Sequence, residues 1–275
     1  MVQPLESSTT YRLHHGTAGS LEESTSATVT AEVSPPAVRV GRSVSVGGVL
    51  AAGGRHGLRL ERWVAGSWQL LSRVTTDADG SYQARVTPTT TGTWRLRVVR
   101  GARSGPLATA APAALDVYRL HTYVVRTRGG VRADLAEFRA VVAETYADPR
   151  GWLRGHHRFR AAAAGQPADL TVVLAQARYL PTYSGICSPT YSCQIGRTVI
   201  IHEPRWRSGS RSFPGPLEDY RRMVVNHETG HWLGRPHAYC PGRGRPAPVM
   251  QQQSKGLAGC RGNPWPLPRE VAAVW

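Results

Sequence analysis

From about residue 27 to 118, apolar and polar positions alternate in short runs separated by turn residues. Tyr82, Ala84 and Val86 alternate with Gln83 and Arg85, and Trp94, Leu96 and Val98 alternate with Arg95, Arg97 and Val99. Such a period of two predicts half-buried strands. Asp77-Ala78-Asp79-Gly80 supplies a turn between two runs. Segments near 27–33, 43–50, 57–64, 67–75, 80–87, 92–100 and 108–118 predict seven strands, a number and spacing that point to an all-β sandwich.

The texture changes to α plus β at about residue 119. His121 to Arg126 reads as a strand. Asp134 to Tyr146 reads as a helix with Leu135, Phe138, Val142 and Tyr146 on one face, and Ala168 to Ala175 and Arg197 to His202 read as two further strands. Leu217 to Asn226 has acids in its first turn, no internal Gly or Pro, and Pro216 just before it, all of which predict a second helix. Tyr220, Val224, His227 and His231 then fall on one stripe, extending the buried face of an amphipathic helix. The predicted organisation is a flexible segment over 1–26, an all-β unit over 27–118 and an α+β unit over 119–275.

That second helix runs into His227-Glu228-Thr229-Gly230-His231-Trp232-Leu233-Gly234-Arg235-Pro236-His237, which reads H-E-x-x-H-x-x-G-x-x-H. Residues four apart share a helix face, so His227 and His231 can address one ion. Glu228 stands about 100° round the helix, beside the metal rather than on it, where a general base belongs. Gly234 allows a backbone break, Pro236 discourages renewed helix, and the returning chain can bring His237 to the same ion. Three imidazoles leave a fourth position open for water, as in catalytic zinc sites. Met250 follows His237 by 13 residues in the turn Ala247-Pro248-Val249-Met250-Gln251.

The extended histidine motif followed by this turn resembles the metzincin zinc endopeptidases. The resemblance implies a zincin fold, a Zn²⁺ cofactor, a peptide or protein substrate, and Met250 as an apolar floor beneath the histidines. In such enzymes an edge strand above the cleft pairs with extended peptide. More particularly, residues 118–275 are similar to an uncharacterised family of actinobacterial metzincin-like domains through Asp148-Pro149-Arg150-Gly151-Trp152, Val225 to Gly234, Cys240-Pro241-Gly242, Ala247 to Gln253 and Gly259 to Pro266. Astacin- and serralysin-like metzincins carry a zinc-reaching Tyr two residues after the Met. Here that position is Gln252, so a tyrosine stabiliser from it is not available. The N-terminal unit resembles, in pattern, the immunoglobulin-like modules of bacterial surface proteins, for which adhesion, spacing or docking is the expected role.

All four cysteines, Cys187, Cys193, Cys240 and Cys260, lie in the α+β half and lack C-x-x-C spacing, which favours disulfides and a compartment outside the reducing cytosol. Of the three possible connectivities, the favoured one pairs Cys187 with Cys193, a short loop, and Cys240 with Cys260, which closes the segment carrying Met250. No cysteine precedes Cys187, so a propeptide thiol that caps the metal is not expected from the N-terminal part. Residues 1–26 hold no apolar run of signal-peptide length, and nowhere do 18 apolar residues run together to span a bilayer. Secretion or cell-surface location is nevertheless the expectation.

The formal net charge is +16, and Lys255 is the only one of the 34 basic residues that is not Arg. The charge suits acidic cell-wall polymers, whereas no recognised nucleic-acid motif accompanies it. Among other histidines, His56 reads as incidental in a Gly-rich turn. His156 and His157 would face opposite ways on a strand, and His202-Glu203 reads as a solvated turn. The expectation for the whole is a zinc-dependent endopeptidase in which Glu228 moves the proton and activity falls in acid as protonated histidines release metal. A peptidoglycan peptide amidase using the same centre and a non-catalytic surface-binding protein are the alternatives.

Overall fold

The computed structural model describes residues 28–101 and 108–272. The flexible segment expected over 1–26 lies outside the described residues. In chain order the strands are β1 (Glu32–Ser34), β2 (Ala37–Arg39), β3 (Val44–Val49), β4 (Gly57–Val64), β5 (Ser67–Thr75), β6 (Ser81–Val86), β7 (Gly92–Arg100), β8 (Ala108–Thr109) and β9 (Ala113–Arg128). Then come α1 (Leu135–Ala147), β10 (His157–Ala161), β11 (Leu170–Ala175), β12 (Cys193–Ile195), β13 (Thr198–His202), α2 (Glu203–Ser208), α3 (Leu217–Trp232) and α4 (Pro268–Val271). The protein is thus mixed α and β, with an all-β N-terminal region.

In that region β1, β3 and β6 form one antiparallel sheet, while β2, β9, β7, β4 and β5 belong to another. Val44, Val46, Tyr82 and Val86 of the first sheet share a buried core with Leu58, Leu60, Trp94, Leu96, Leu115 and Val117 of the second. The alternation predicted for Tyr82, Ala84 and Val86 is the inward face of β6, with Gln83 and Arg85 exposed. Two expected strands differ. In place of 27–33 there is an isolated bridge from Val29 to Leu50 and the short β1, and β2 follows the cis Ser34–Pro35 bond. In place of 108–118 there is the two-residue β8 and then β9, which runs on past 118.

β9 joins the two halves. Residues 113–118 pair with β7 and β2, whereas residues 119–128 pair in parallel with β10 and β11. The strand predicted at 121–126 is therefore the continuation of the preceding one. No Gly or Pro interrupts residues 113–128, and the run rich in Val, Tyr and Leu stays extended while its neighbours change.

Beyond β9 the sheet continues through β11 and β13, all parallel, to β12, an antiparallel edge strand. β11 and β13 are buried on both faces, so their sequences are near-continuous apolar runs rather than alternating ones. Leu170, Val172, Leu174, Val199 and Ile201 pack with α1 and α3. Val173, Ala175 and Ile200 face the opposite way, against Leu180 and Cys187. β10 and β12 were not foreseen, being short and without a clear period.

Candidate metal centre

α3 starts after Pro216, whose fixed φ suits the helix entrance, and carries Glu218 and Asp219 in its first turn, where they oppose the helix dipole. Its burial is not the single stripe that the periodicity predicts. From Met223 to Gly230 every residue is buried. The sheet and α1 cover one side, and the chain after residue 233 covers the other, where Trp152, Val249 and Met250 form a second small core.

The helix ends in a Schellman turn. Gly234, at φ +82°, donates its N–H to the His231 carbonyl, and Arg235 donates to the Gly230 carbonyl. The reversal delivers the Arg235 carbonyl to His231, whose Nδ1–H donates to it at 2.7 Å. Nδ1–H of His227 likewise donates to the Val249 carbonyl at 2.8 Å. Carbonyls only accept, so both imidazoles hold the proton on Nδ1 and turn a bare Nε2 lone pair away from the backbone, the second-sphere arrangement typical of metal-bound histidine. Nε2 of His237 lies 3.1 Å from Nε2 of His231. One ligand nitrogen from each of His227, His231 and His237 lies within 4.8 Å of the other two, so the set could hold a metal ion. Burial lowers the pKa of all three below the ordinary histidine value, which keeps them neutral and able to ligate.

Glu228 is 4% exposed. Burial pushes its carboxyl up to about 8.

Met250 lies beneath the helix at Gly230. A Cβ there would meet the Met250 sulfur at a forbidden distance and Trp152 Cζ2 at 2.7 Å, so only glycine fits between the two motif histidines. The residues that carried the family resemblance assemble this underside. Trp152 donates its indole N–H to the Asn226 carbonyl at 3.1 Å, and Asn226 donates to Pro264 at 2.9 Å. Gln253 donates to Pro248 and Asn263 and accepts from the Asn263 N–H. The Cys240–Cys260 disulfide, one of the two expected pairings, closes the loop. Glu270, which the sequence reading missed, accepts from the backbone N–H groups of Val249 and Met250 at 3.0 and 2.8 Å, and from Leu267. It is separated from the motif by a long segment without regular structure and has no spacing signature.

His227, Glu228, His231 and His237 open on a cleft of about 340 Å³. Its lining includes Ser192, Cys193 and Gln194, which lie at and beside the edge strand β12. The Cys187–Cys193 disulfide, the other expected pairing, ties that edge to the preceding loop. Gln252 also lines the cleft. His202 is not a solvated turn. It is buried, caps α2 by accepting from the Arg205 N–H on Nδ1, and donates from Nε2 to Pro189 at 2.9 Å, holding the same loop. The remaining histidines among the described residues lie elsewhere. His56 accepts from Arg100, His156 pairs with Asp116, and His157 packs against His121.

A family model described as a protein of unknown function, DUF3152, matches residues 84–261, more than half of the chain. No curated protein matches. Among solved structures, one described as "Structural basis of T cell specificity and activation by the bacterial superantigen toxic shock syndrome toxin-1" is similar over 33% of this chain and 98% of that one. The identity is 14% and the TM-score 0.26, at which the likeness carries no argument. On the family match, the chain belongs to the DUF3152 family, whose function is unknown.

Proposed function

We propose that this protein is a secreted zinc-dependent endopeptidase, an α+β zincin of the metzincin type over residues 119–275 preceded by an immunoglobulin-like sandwich over 27–118. The observation that carries the reading is the convergence of three neutral imidazoles, two of them with Nδ1 tied to carbonyls, beside a buried carboxyl at the floor of an open cleft. Three nitrogen donors suit zinc and leave room for water. A structural site would have no use for Glu228.

When held by His227, His231 and His237, zinc supplies Lewis-acid polarisation of the scissile carbonyl and lowers the pKa of water. Glu228 takes the proton of the attacking water and returns it to the leaving amine. The carbonyls of Val249 and Arg235 keep His227 and His231 in one tautomer. β12, the edge strand of this sheet among the described residues, lies beside the cleft and offers backbone pairing to an extended peptide. Two disulfides fit an oxidising location. Among the described residues no helix is long and apolar enough to cross a membrane.

The test is digestion of a diverse peptide library by zinc-loaded protein, read by mass spectrometry, beside Glu228→Ala at equal metal content. Cleavage by the parent alone is expected. Equal cleavage by both, or none by the parent, would remove the peptidase reading.

A further inference from the structure

We propose that the cleft wall made by Lys255 and Tyr191, backed by Arg205, is a carboxylate-binding subsite, so that preferred peptides carry a carboxylate next to the scissile bond. The inference rests on the peptidase reading for its substrate class, but its geometry is independent of the metal.

Lys255 and Tyr191 both line the cleft that holds the histidines. The Lys255 ammonium lies 5.2 Å from the centre of the Tyr191 ring, and the Arg205 guanidinium lies 4.6 Å from the same centre. Arg205 is held there by its side chain, Nε donating to the Thr190 carbonyl at 2.7 Å, while the main chain carrying Lys255 is fixed by its backbone N–H, which donates to the Gln252 carbonyl at 2.8 Å. Two cations from separate parts of the chain, one following the Met250 turn and one on α2, therefore meet on one aromatic ring. The ring face favours each of them, but the pair repels. Neither forms an ion pair with a carboxylate among the described residues. Glu203, on the same helix as Arg205, is turned to Arg207 and to the Arg132 N–H. Among the described residues that line the cleft, the only acidic side chain is Glu228, which is assigned to the reaction. An incoming carboxylate is the group that this wall lacks.

The carboxylate could be an Asp or Glu side chain or a free C-terminus. Four peptides on one core separate these: an internal Glu, its Gln counterpart, a free C-terminal acid and its amide. Binding is measured by calorimetry on zinc-loaded Glu228→Gln protein, and cleavage of the same peptides on the wild type. The acid of one pair should bind about fivefold tighter than its neutral partner, as expected of a solvent-facing ion pair. The preference should vanish in Lys255→Gln, reverse in Lys255→Glu and shrink in high salt. The pair that shows it identifies the source. Equal affinities within both pairs, or a preference that survives Lys255→Gln, would overturn the subsite. Charge-dependent binding without wild-type cleavage sinks the peptidase reading and keeps the subsite, and cleavage without charge preference does the reverse. A protein that binds none of the peptides loses both.

Discussion

The Met250 thioether rests on the bare backbone of Gly230, one residue before His231, with Trp152 closing the other side of the same gap. For Gly230→Ala two effects oppose each other. Alanine improves helix propensity by about 1 kcal/mol, whereas forcing a methyl into a filled space costs about 1–3 kcal/mol or more. The contact with Met250 is too close for an ordinary Cβ, so packing should win. Urea unfolding should show net destabilisation of Gly230→Ala together with weaker zinc retention against a chelator. A stabilised variant would show that Met250 does not sit there.

Glu270 is the anchor of the Met250 turn. Its carboxylate accepts three backbone N–H groups, and a buried hydrogen bond to a charged group is worth about 1.5–3 kcal/mol. Glu270→Ala should lose about 3 kcal/mol or more, because it strands buried donors. Glu270→Gln should lose less, since one oxygen remains. As the Val249 carbonyl orients His227, both variants should also bind zinc more weakly, in the same order. Unchanged zinc affinity in Glu270→Ala would separate the turn from the ligand.

The two disulfides should contribute unequally. Cys240–Cys260 spans 20 residues and Cys187–Cys193 spans 6. Loop-closure entropy then gives about 3 kcal/mol for the first and about 2 kcal/mol for the second. Paired Cys→Ala variants compared by denaturant titration should rank in that order.

A pH dependence of folding follows from the buried pair His121 and His157, whose Nε2 and Nδ1 lie 2.8 Å apart. Burial lowers both pKa values. Arg119 and Arg39 add to the effect at His121 against the pull of Asp169, and His121, Arg119, His156 and Arg235 add to it at His157. Below the unfolded histidine pKa of about 6.5 the unfolded chain binds more protons than the folded one. The stabilisation is thus complete above that pH and is lost progressively as pH falls beneath it. In chelator-treated protein, stability should decline from pH 6.5 towards 5, with a shallower slope in His121→Phe/His157→Phe. The slope should not vanish, because His227, His231 and His237 shift in the same direction. An identical slope in the double variant would exclude the pair.

Much of the architecture is local and therefore legible. The alternation of Tyr82, Ala84 and Val86 sets the inward face of β6, and the run Leu217 to Asn226, free of Gly and Pro, opens α3. Short strands were less legible. Cys193–Ile195 has too few residues to show a period, yet as β12 it is the edge that borders the cleft.

By itself, the sequence determined that three histidines and a glutamate would share a helix and its return loop, because helical spacing and the freedom of Gly234 are properties of adjacent residues. It also determined that an all-β region would precede a mixed α and β one. Only the tertiary structure decided that β9 passes unbroken from one region to the other, that Glu270 holds the turn under His227, and that Lys255 and Arg205 meet on Tyr191. Those relationships join residues brought together by packing across the fold, and no periodicity along a chain encodes which distant carboxylate or cation will arrive at a given backbone.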